Sequence, residues 1–161
     1  MDFEYKLYLA RAQNELNLSV IVQTISDDKK MQVDLFGMKE DTYYSAVISH
    51  SYYTIFYAAK AYLLLKSIKT EAPEEHKKTF DEFSQQVEKG TVDRELLKIY
   101  KNILMKADVL LHLFEWERSK RGKFTYRRIP QANQEPAQES IMNAKTFFNY
   151  LYRLCEEGKS R

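Results

Sequence analysis

The residues best suited to chemistry form one stretch, Arg118 to Arg128, RSKRGKFTYRR. Arg118, Lys120, Arg121, Lys123, Arg127 and Arg128 are cationic and no acid interrupts them, while Phe124 and Tyr126 place flat rings among them. Guanidinium groups grip phosphates through paired hydrogen bonds and aromatic faces stack on bases, so this composition suits single-stranded RNA or a nucleotide. Gly122 would let the backbone approach such a ligand closely. The competing reading is a solvated loop whose cations complement the end of the helix before it. The three histidines are spread along the chain. His50, alone on an apolar helix, reads as a hydrogen-bonded core residue more readily than as an acid or base. His76 reads as packing or capping near the start of a short helix. His112, just ahead of the basic stretch, is a candidate for proton transfer. No glycine-rich phosphate loop, acidic metal cluster or serine-centred motif accompanies them, so neither a metal nor a cofactor is expected.

The elements that must position these residues read as helices. Gly and Pro are scarce and the apolar residues recur at three- and four-residue steps. The organising segment is Tyr43 to Leu65, where Lys60 is the one formal charge and six of the chain's 12 tyrosines are found. Tyr44, Ile48, Ser51, Ile55, Ala59 and Tyr62 lie on one side, with Tyr52, Phe56 and Leu63 on a neighbouring side, so nearly every face must meet protein. Before it, a first helix is predicted from Asp2 to Ile25 with the stripe Tyr5, Leu9, Ala12, Leu16 and Val20. Ser26 to Lys39 reads as a solvated loop insertion that Val33, Leu35 and Phe36 tuck down, and Asp41 and Thr42 are expected to cap the central helix. After it, His76, Phe80, Phe83 and Val87 predict a short helix ended by Gly90. A long helix follows from Thr91 or Asp93 to Trp116 or Arg118, with Leu96, Tyr100, Ile103, Ala107, Leu110 and Phe114 inward. The last helix starts near Pro136 and buries Ile141, Ala144, Phe148, Leu151 and Cys155, leaving Glu156 to Arg161 as a polar tail. The sum is an all-α, up-and-down four-helix bundle with an additional short helix.

Length and composition fit that architecture. At 161 residues the chain reads as a single domain, large enough to fold without a disulfide or metal. The lone Cys155 excludes an intramolecular disulfide, argues against a zinc site and suits a reducing cytoplasm. The first residues carry no cationic flank leading into an apolar run, so no secretory signal is expected. A central helix with a lysine, a histidine and six tyrosines is a poor match to hydrocarbon, and no membrane association is expected. The formal charge of +2 names no partner by itself.

The segment Asp41 to Leu65, DTYYSAVISHSYYTIFYAAKAYLLL, carries Ala46, the pair Tyr52 and Tyr53, Phe56, then Ala58, Ala59, Ala61, Leu63 and Leu64. Further on come His76 with Phe83, Arg121 with Tyr126, and Ala144 with Phe147 and Phe148. In this order and spacing they resemble the HEPN superfamily, the higher-eukaryote and prokaryote nucleotide-binding domain, and within it the small prokaryotic proteins of the UPF0332 type. The likeness covers about residues 40–155. It implies a helical bundle paired into a homodimer, with a nucleotidyltransferase as antitoxin partner and, in catalytic branches, a metal-independent ribonuclease. Those branches carry an arginine followed four to six residues later by a histidine. Here no histidine follows Arg118 or Arg121, and Tyr126 stands in its place. A tyrosine with a pKa near about 10 is a weaker proton acceptor at neutral pH than histidine, so the enzyme question stays open.

Three roles therefore remain for Arg121 and Tyr126. As a ribonuclease pair, the arginine would stabilise charge developing on phosphate while Tyr126, or a residue from a paired chain, handled protons. As a regulatory site, the Tyr126 hydroxyl would receive a nucleotide from the partner enzyme. As a structural pair, the guanidinium would stack on the ring or satisfy a helix end. The sequence thus suggests an RNA- or nucleotide-binding protein on the toxin side of a toxin and antitoxin pair. The alternative is a non-catalytic dimeric interaction module.

Overall fold

α-Helix accounts for all the regular structure in the computed structural model, which describes residues 3–111 and 133–158. The helices are α1 (Glu4–Asp27), α2 (Lys29–Phe36), α3 (Tyr44–Leu65), α4 (Glu75–Glu88), α5 (Arg94–Leu111) and α6 (Gln134–Glu157). Four long helices form an up-and-down bundle, and two shorter ones, α2 and α4, flank it.

Side-chain pairings fix the directions. Ser26 of α1 accepts from the amide of Tyr43 at 2.9 Å, and Arg11 lies over the ring of Tyr57 at 5.2 Å, so α1 and α3 are antiparallel. Lys106 pairs with Glu139 at 2.9 Å and the rings of Tyr100 and Phe147 meet at 5.7 Å, so α5 and α6 are antiparallel too. Val47 and Ile48 pack with Ala137 and Ile141 at one end, and Leu65 lies against Gly158 at the other, so α3 and α6 run parallel across the diagonal. Among the described residues α1 and α5 do not touch, which leaves α3 in contact with α1, α4, α5 and α6. This explains the composition of α3: a helix surrounded by four others is apolar nearly all round.

Tyr100, Phe83 and Phe147 form the aromatic centre of the core. Their rings are 5.3 to 5.7 Å apart, and all three are fully buried. Burial of each ring contributes about 1.5–3 kcal/mol.

Several local expectations are corrected. The inward stripe of α1 leaves Val20 exposed and continues instead through Ser19, Gln23 and Ser26. Ser19 donates to Leu16 O and Ser26 to Val22 O, so both hydroxyls are satisfied within the helix and can be buried at little cost. The segment Ser26 to Lys39 is no open loop, because it holds α2. Asp28 Oδ1 accepts from the amide of Met31 at 2.9 Å, and Gly37, at φ 61°, closes the other end with its amide on Val33 O. Val33, Leu35 and Phe36 do not tuck this segment down and are exposed; Gln32 is buried instead. Its side chain donates to Ile25 O and Asp41 O at 2.7 and 2.9 Å and accepts from the Asp41 amide at 2.9 Å. Asp41 and Thr42 do not cap α3, whose first turn has no side-chain cap; Asp41 accepts from the Thr42 amide instead. Asp93 does serve the start of α5 by accepting from the Glu95 amide at 2.9 Å. The predicted continuation of α5 through Phe114 to Trp116 or Arg118 lies outside the described residues.

Candidate functional site

His112, Arg118, Lys120, Arg121, Lys123, Phe124, Tyr126, Arg127 and Arg128 all lie outside the described residues. The helix ends that flank them are described. Val47 and Ile48 of α3 and Ala137 and Ile141 of α6 form a buried cluster, against which Val22 of α1, Tyr44 of α3 and Leu110 in the last turns of α5 each pack. Chain segments on both sides of the basic stretch therefore belong to the bundle end where α1 finishes and α3 begins.

A second concentration of chemically capable groups follows the seam between α1 and α3. On α3, His50, Tyr53, Tyr57 and Lys60 recur at steps of three, four and three, and on α1, Glu4, Tyr8, Arg11 and Glu15 recur at steps of four, three and four. Such spacings put each set on one helix face, and the antiparallel pairing brings the two faces together. Glu15 Oε2 accepts from Nδ1–H of His50 at 2.6 Å, and Arg11 Nε donates to the other carboxylate oxygen at 3.3 Å. The Glu15 side chain is only 9% exposed, whereas Arg11 is 59% exposed. Further along, the rings of Tyr53, Tyr57 and Tyr8 succeed one another with centroids 6.1 and 6.0 Å apart and planes tilted by 26° and 21°. Burial, with Tyr57 and Glu15 nearby, raises the pKa of Tyr53 above its ordinary value.

The start of α4 closes this seam. Lys60, although inside an apolar helix, is ion-paired with Glu75 and lies 4.7 Å over the Tyr8 ring and 5.8 Å over that of Phe56. Burial alone would lower the Lys60 pKa, but the bonds to Glu75 and Tyr8 outweigh it and the ammonium is held above its ordinary value. The Tyr52 hydroxyl meets Nδ1 of His76 at 2.8 Å, and the His76 ring stacks on Phe56 at 4.2 Å. Burial pushes the His76 pKa down, with Glu75 opposing and Lys60 reinforcing that shift, so the imidazole is neutral at neutral pH. Burial also drives Tyr52 well above the ordinary tyrosine range, with Tyr100, Tyr53 and Asp108 adding to it. Its hydroxyl thus stays protonated and shares one hydrogen bond with Nδ1 of the neutral imidazole.

Between these walls is an open cleft of about 700 Å³, bordered by Tyr8, Arg11, Tyr53, Tyr57, Glu75 and His76. It offers ring faces for stacking, a guanidinium with donors to spare and two carboxylates, Glu4 and Glu75, at its margin. Among the described residues no group of three or more His, Cys, Asp or Glu side chains is placed to hold a metal ion.

Sequence reading took His50 and His76 singly and missed Arg11 and Glu15. The available signal was a lone acid next to the buried stripe of α1 and a lone imidazole and lysine in the apolar α3. Each would need a partner on burial, and the antiparallel register supplies it.

No family model, curated protein or solved structure matches the chain. Among the described residues no helix is long and apolar enough to cross a membrane.

Proposed function

We propose that the chain is a HEPN-like helical bundle that binds RNA or a nucleotide through Arg118 to Arg128. In this reading it is homodimeric, cytoplasmic and the toxin-side partner of a nucleotidyltransferase. The observation that supports it is the concentration of charge. Arg118 to Arg128 holds six cations and no acid in a chain of net charge +2, so the remainder of the chain is net acidic. On the described surface, by contrast, lysines are repeatedly matched to carboxylates, as in Lys29 with Glu40, Lys30 with Asp34, Lys69 with Glu4 and Lys98 with Glu95. An isolated cationic stretch with interleaved rings is the footprint of a phosphate-bearing partner.

The test is RNA binding as a function of salt, on the parent, Arg121→Ala and Tyr126→Phe. Binding weakens steeply as salt rises in the parent, and the logarithmic slope is shallower by about 0.7 in Arg121→Ala, the value for one phosphate no longer neutralised. Where a nucleotidyltransferase is encoded beside the chain, intact mass after co-expression with it reports nucleotide addition, which Tyr126→Phe abolishes. Cleavage assayed in chelator decides the ribonuclease question. Binding that ignores both salt and Arg121 overturns the reading.

One observation favours a second reading, the non-catalytic interaction module. Leu18 and Ile21 on α1 and Val33, Leu35, Phe36 and Met38 on and just after α2 are exposed, which is apolar surface available to a protein partner. None of the large apolar residues of α3, in contrast, is exposed, so this surface and not the central helix is where such association is expected. Light scattering of Leu35→Glu and Phe36→Glu variants at micromolar concentration separates an oligomer held by this surface from one held elsewhere.

A further inference from the structure

We infer that the chain pairs with a second copy of itself through the outer face of α1, the two α1 helices lying antiparallel across a two-fold axis at Asn14. The pairing rests on the homodimeric state proposed above and names the surface that makes it.

α1 is apolar on two opposite sides. One is the buried stripe that begins with Tyr5, Leu9, Ala12 and Leu16. On the reverse of the helix, Phe3, Leu7, Ala10, Asn14, Leu18, Ile21 and Ile25 recur at steps of four, three, four, four, three and four. At about 100° per residue these seven share an arc of about 80°, centred opposite the buried stripe. Among the described residues nothing covers this arc: Phe3, Leu7 and Ile21 are 71%, 53% and 54% exposed, Leu18 is exposed, and only Ile25 is half-buried. A second apolar stripe on a helix that already serves a core is the mark of a contact with another chain.

The order of the residues selects the occupant. Counted from Asn14, the apolar positions fall at four, seven and eleven residues on both sides, Ala10, Leu7 and Phe3 toward one end and Leu18, Ile21 and Ile25 toward the other. A two-fold axis at Asn14 therefore sets Leu7 against the partner's Ile21, Ala10 against the partner's Leu18 and Phe3 against the partner's Ile25. Every apolar side chain meets another, and small meets large at the inner pair. The two Asn14 amides meet at the axis, where each supplies both donors and an acceptor, and a polar pair on an apolar seam fixes its register. A foreign helix would need no such symmetry.

Flanking charges select the antiparallel order. Glu4, Lys6 and Arg11 border the stripe in its first half. Antiparallel, they come level with the partner's Thr24, Val22 and Asn17, none of them charged. Parallel, Lys6 would lie opposite the partner's Arg11, a like-charge pair repeated on both sides of the seam.

This arrangement bears on the basic stretch. Val22 packs at the bundle end to which the helix termini on either side of Arg118 to Arg128 belong. The partner's Val22 comes level with Lys6, sixteen residues or about 24 Å along α1, so the two such ends point apart in the dimer. Each chain is thus expected to meet a phosphate-bearing ligand alone, without a proton-handling residue from the paired chain.

The test is sedimentation of the full chain at micromolar concentration, together with disulfide trapping. The parent is expected to be a dimer. Ile21→Glu, at an exposed position, is expected to keep the helix content and to weaken the dimer by about thirtyfold or more, as for a central interface residue. Asn14→Cys is expected to form an intermolecular disulfide under mild oxidation, because residues at a two-fold axis meet their own copies, while the native Cys155 is buried. Leu7→Cys alone should stay reduced and should cross-link once Ile21→Cys is added. A dimer that Ile21→Glu leaves intact, or that Asn14→Cys does not trap, overturns the proposal and leaves the homodimer reading standing on another surface. A monomeric parent overturns both. Rapid cross-linking of Leu7→Cys to its own copy overturns the antiparallel order.

Discussion

Glu15 on α1 and His50 on α3 are bonded through Oε2 and Nδ1 at 2.6 Å, and this pair ties the two helices together midway along their seam. The carboxylate is nearly buried and also serves Arg11, so its loss leaves two donors without an acceptor. Glu15→Ala is expected to destabilise the fold by about 0.5–1.5 kcal/mol, the net worth of an ordinary hydrogen bond, since Arg11 and His50 are exposed enough for water to take the place of the carboxylate. A double-mutant cycle with His50→Ala, followed by urea unfolding, should return a coupling of about 0.5–3 kcal/mol. Additive effects would show that the two groups are neighbours without being partners.

The burial of His76 makes stability depend on pH. Burial depresses the His76 pKa in the folded state below its ordinary value of 6.5. The unfolded chain therefore binds this proton at a higher pH than the native state does. Above the ordinary value both states are neutral and the histidine contributes no pH dependence. As pH falls below 6.5 the unfolded state is favoured progressively, until His76 itself protonates in the folded protein. Urea midpoints measured from pH 7.5 to pH 5 should fall in the parent, and His76→Gln should flatten that fall. An unchanged slope in the variant would place the pH dependence elsewhere.

These pairs explain how far the sequence could be read. Stripes such as Phe83 with Val87, or Ala144 with Phe148, Leu151 and Cys155, were legible because one buried face recurs with the helical period. The stripe of α1 failed at Val20 because the turns beyond Leu16 bury serine and glutamine, which no hydrophobic period reports. For the same reason α2 was hidden: its eight residues are held by Gln32 and not by an apolar face, although Asp28 and Gly37, its two caps, stood in view. The basic stretch was legible by composition alone. The cleft was not, because Arg11 and Tyr57 become neighbours only through the register of α1 against α3.

Lys60 and Glu75 should respond unequally to substitution. Lys60 is 4% exposed, while the Glu75 side chain is 36% exposed. Glu75→Gln leaves a buried ammonium without its counter-charge and is expected to cost about 1–3 kcal/mol, less than a fully buried pair because water reaches the acid. Lys60→Met instead leaves a carboxylate that can hydrate, and the thioether fits beside the rings of Tyr8 and Phe56, so the expected cost is within about 1 kcal/mol. The raised Lys60 pKa adds a sign: its contribution is complete below the ordinary value of 10.5 and is lost as pH rises through the folded value. Thermal melts of both variants and the parent at neutral and alkaline pH check the order. Equal losses would mean that the two charges share one environment.

Gln32 is expected to control α2 without controlling the bundle. Its amide group supplies both a donor and an acceptor, bonding to Ile25 O, Asp41 O and the Asp41 amide, and thereby fixes both edges of the connection between α1 and α3. Gln32→Glu keeps the size of the side chain but removes the two donated bonds and sets a carboxylate against two carbonyl oxygens. Gln32→Leu removes all three bonds while keeping the volume roughly constant. Both leave part-buried backbone groups unpaired, at about 1–3 kcal/mol for each group that water cannot reach. Because α2 touches the rest of the described fold chiefly through α1, that free energy should appear as local opening. Hydrogen exchange should accelerate across Lys29–Phe36 in both variants while the amides of α3 and α6 keep their protection. If α3 loses protection to the same extent, α2 is an integral part of the bundle's cooperative unit and not an appendage closed by one glutamine.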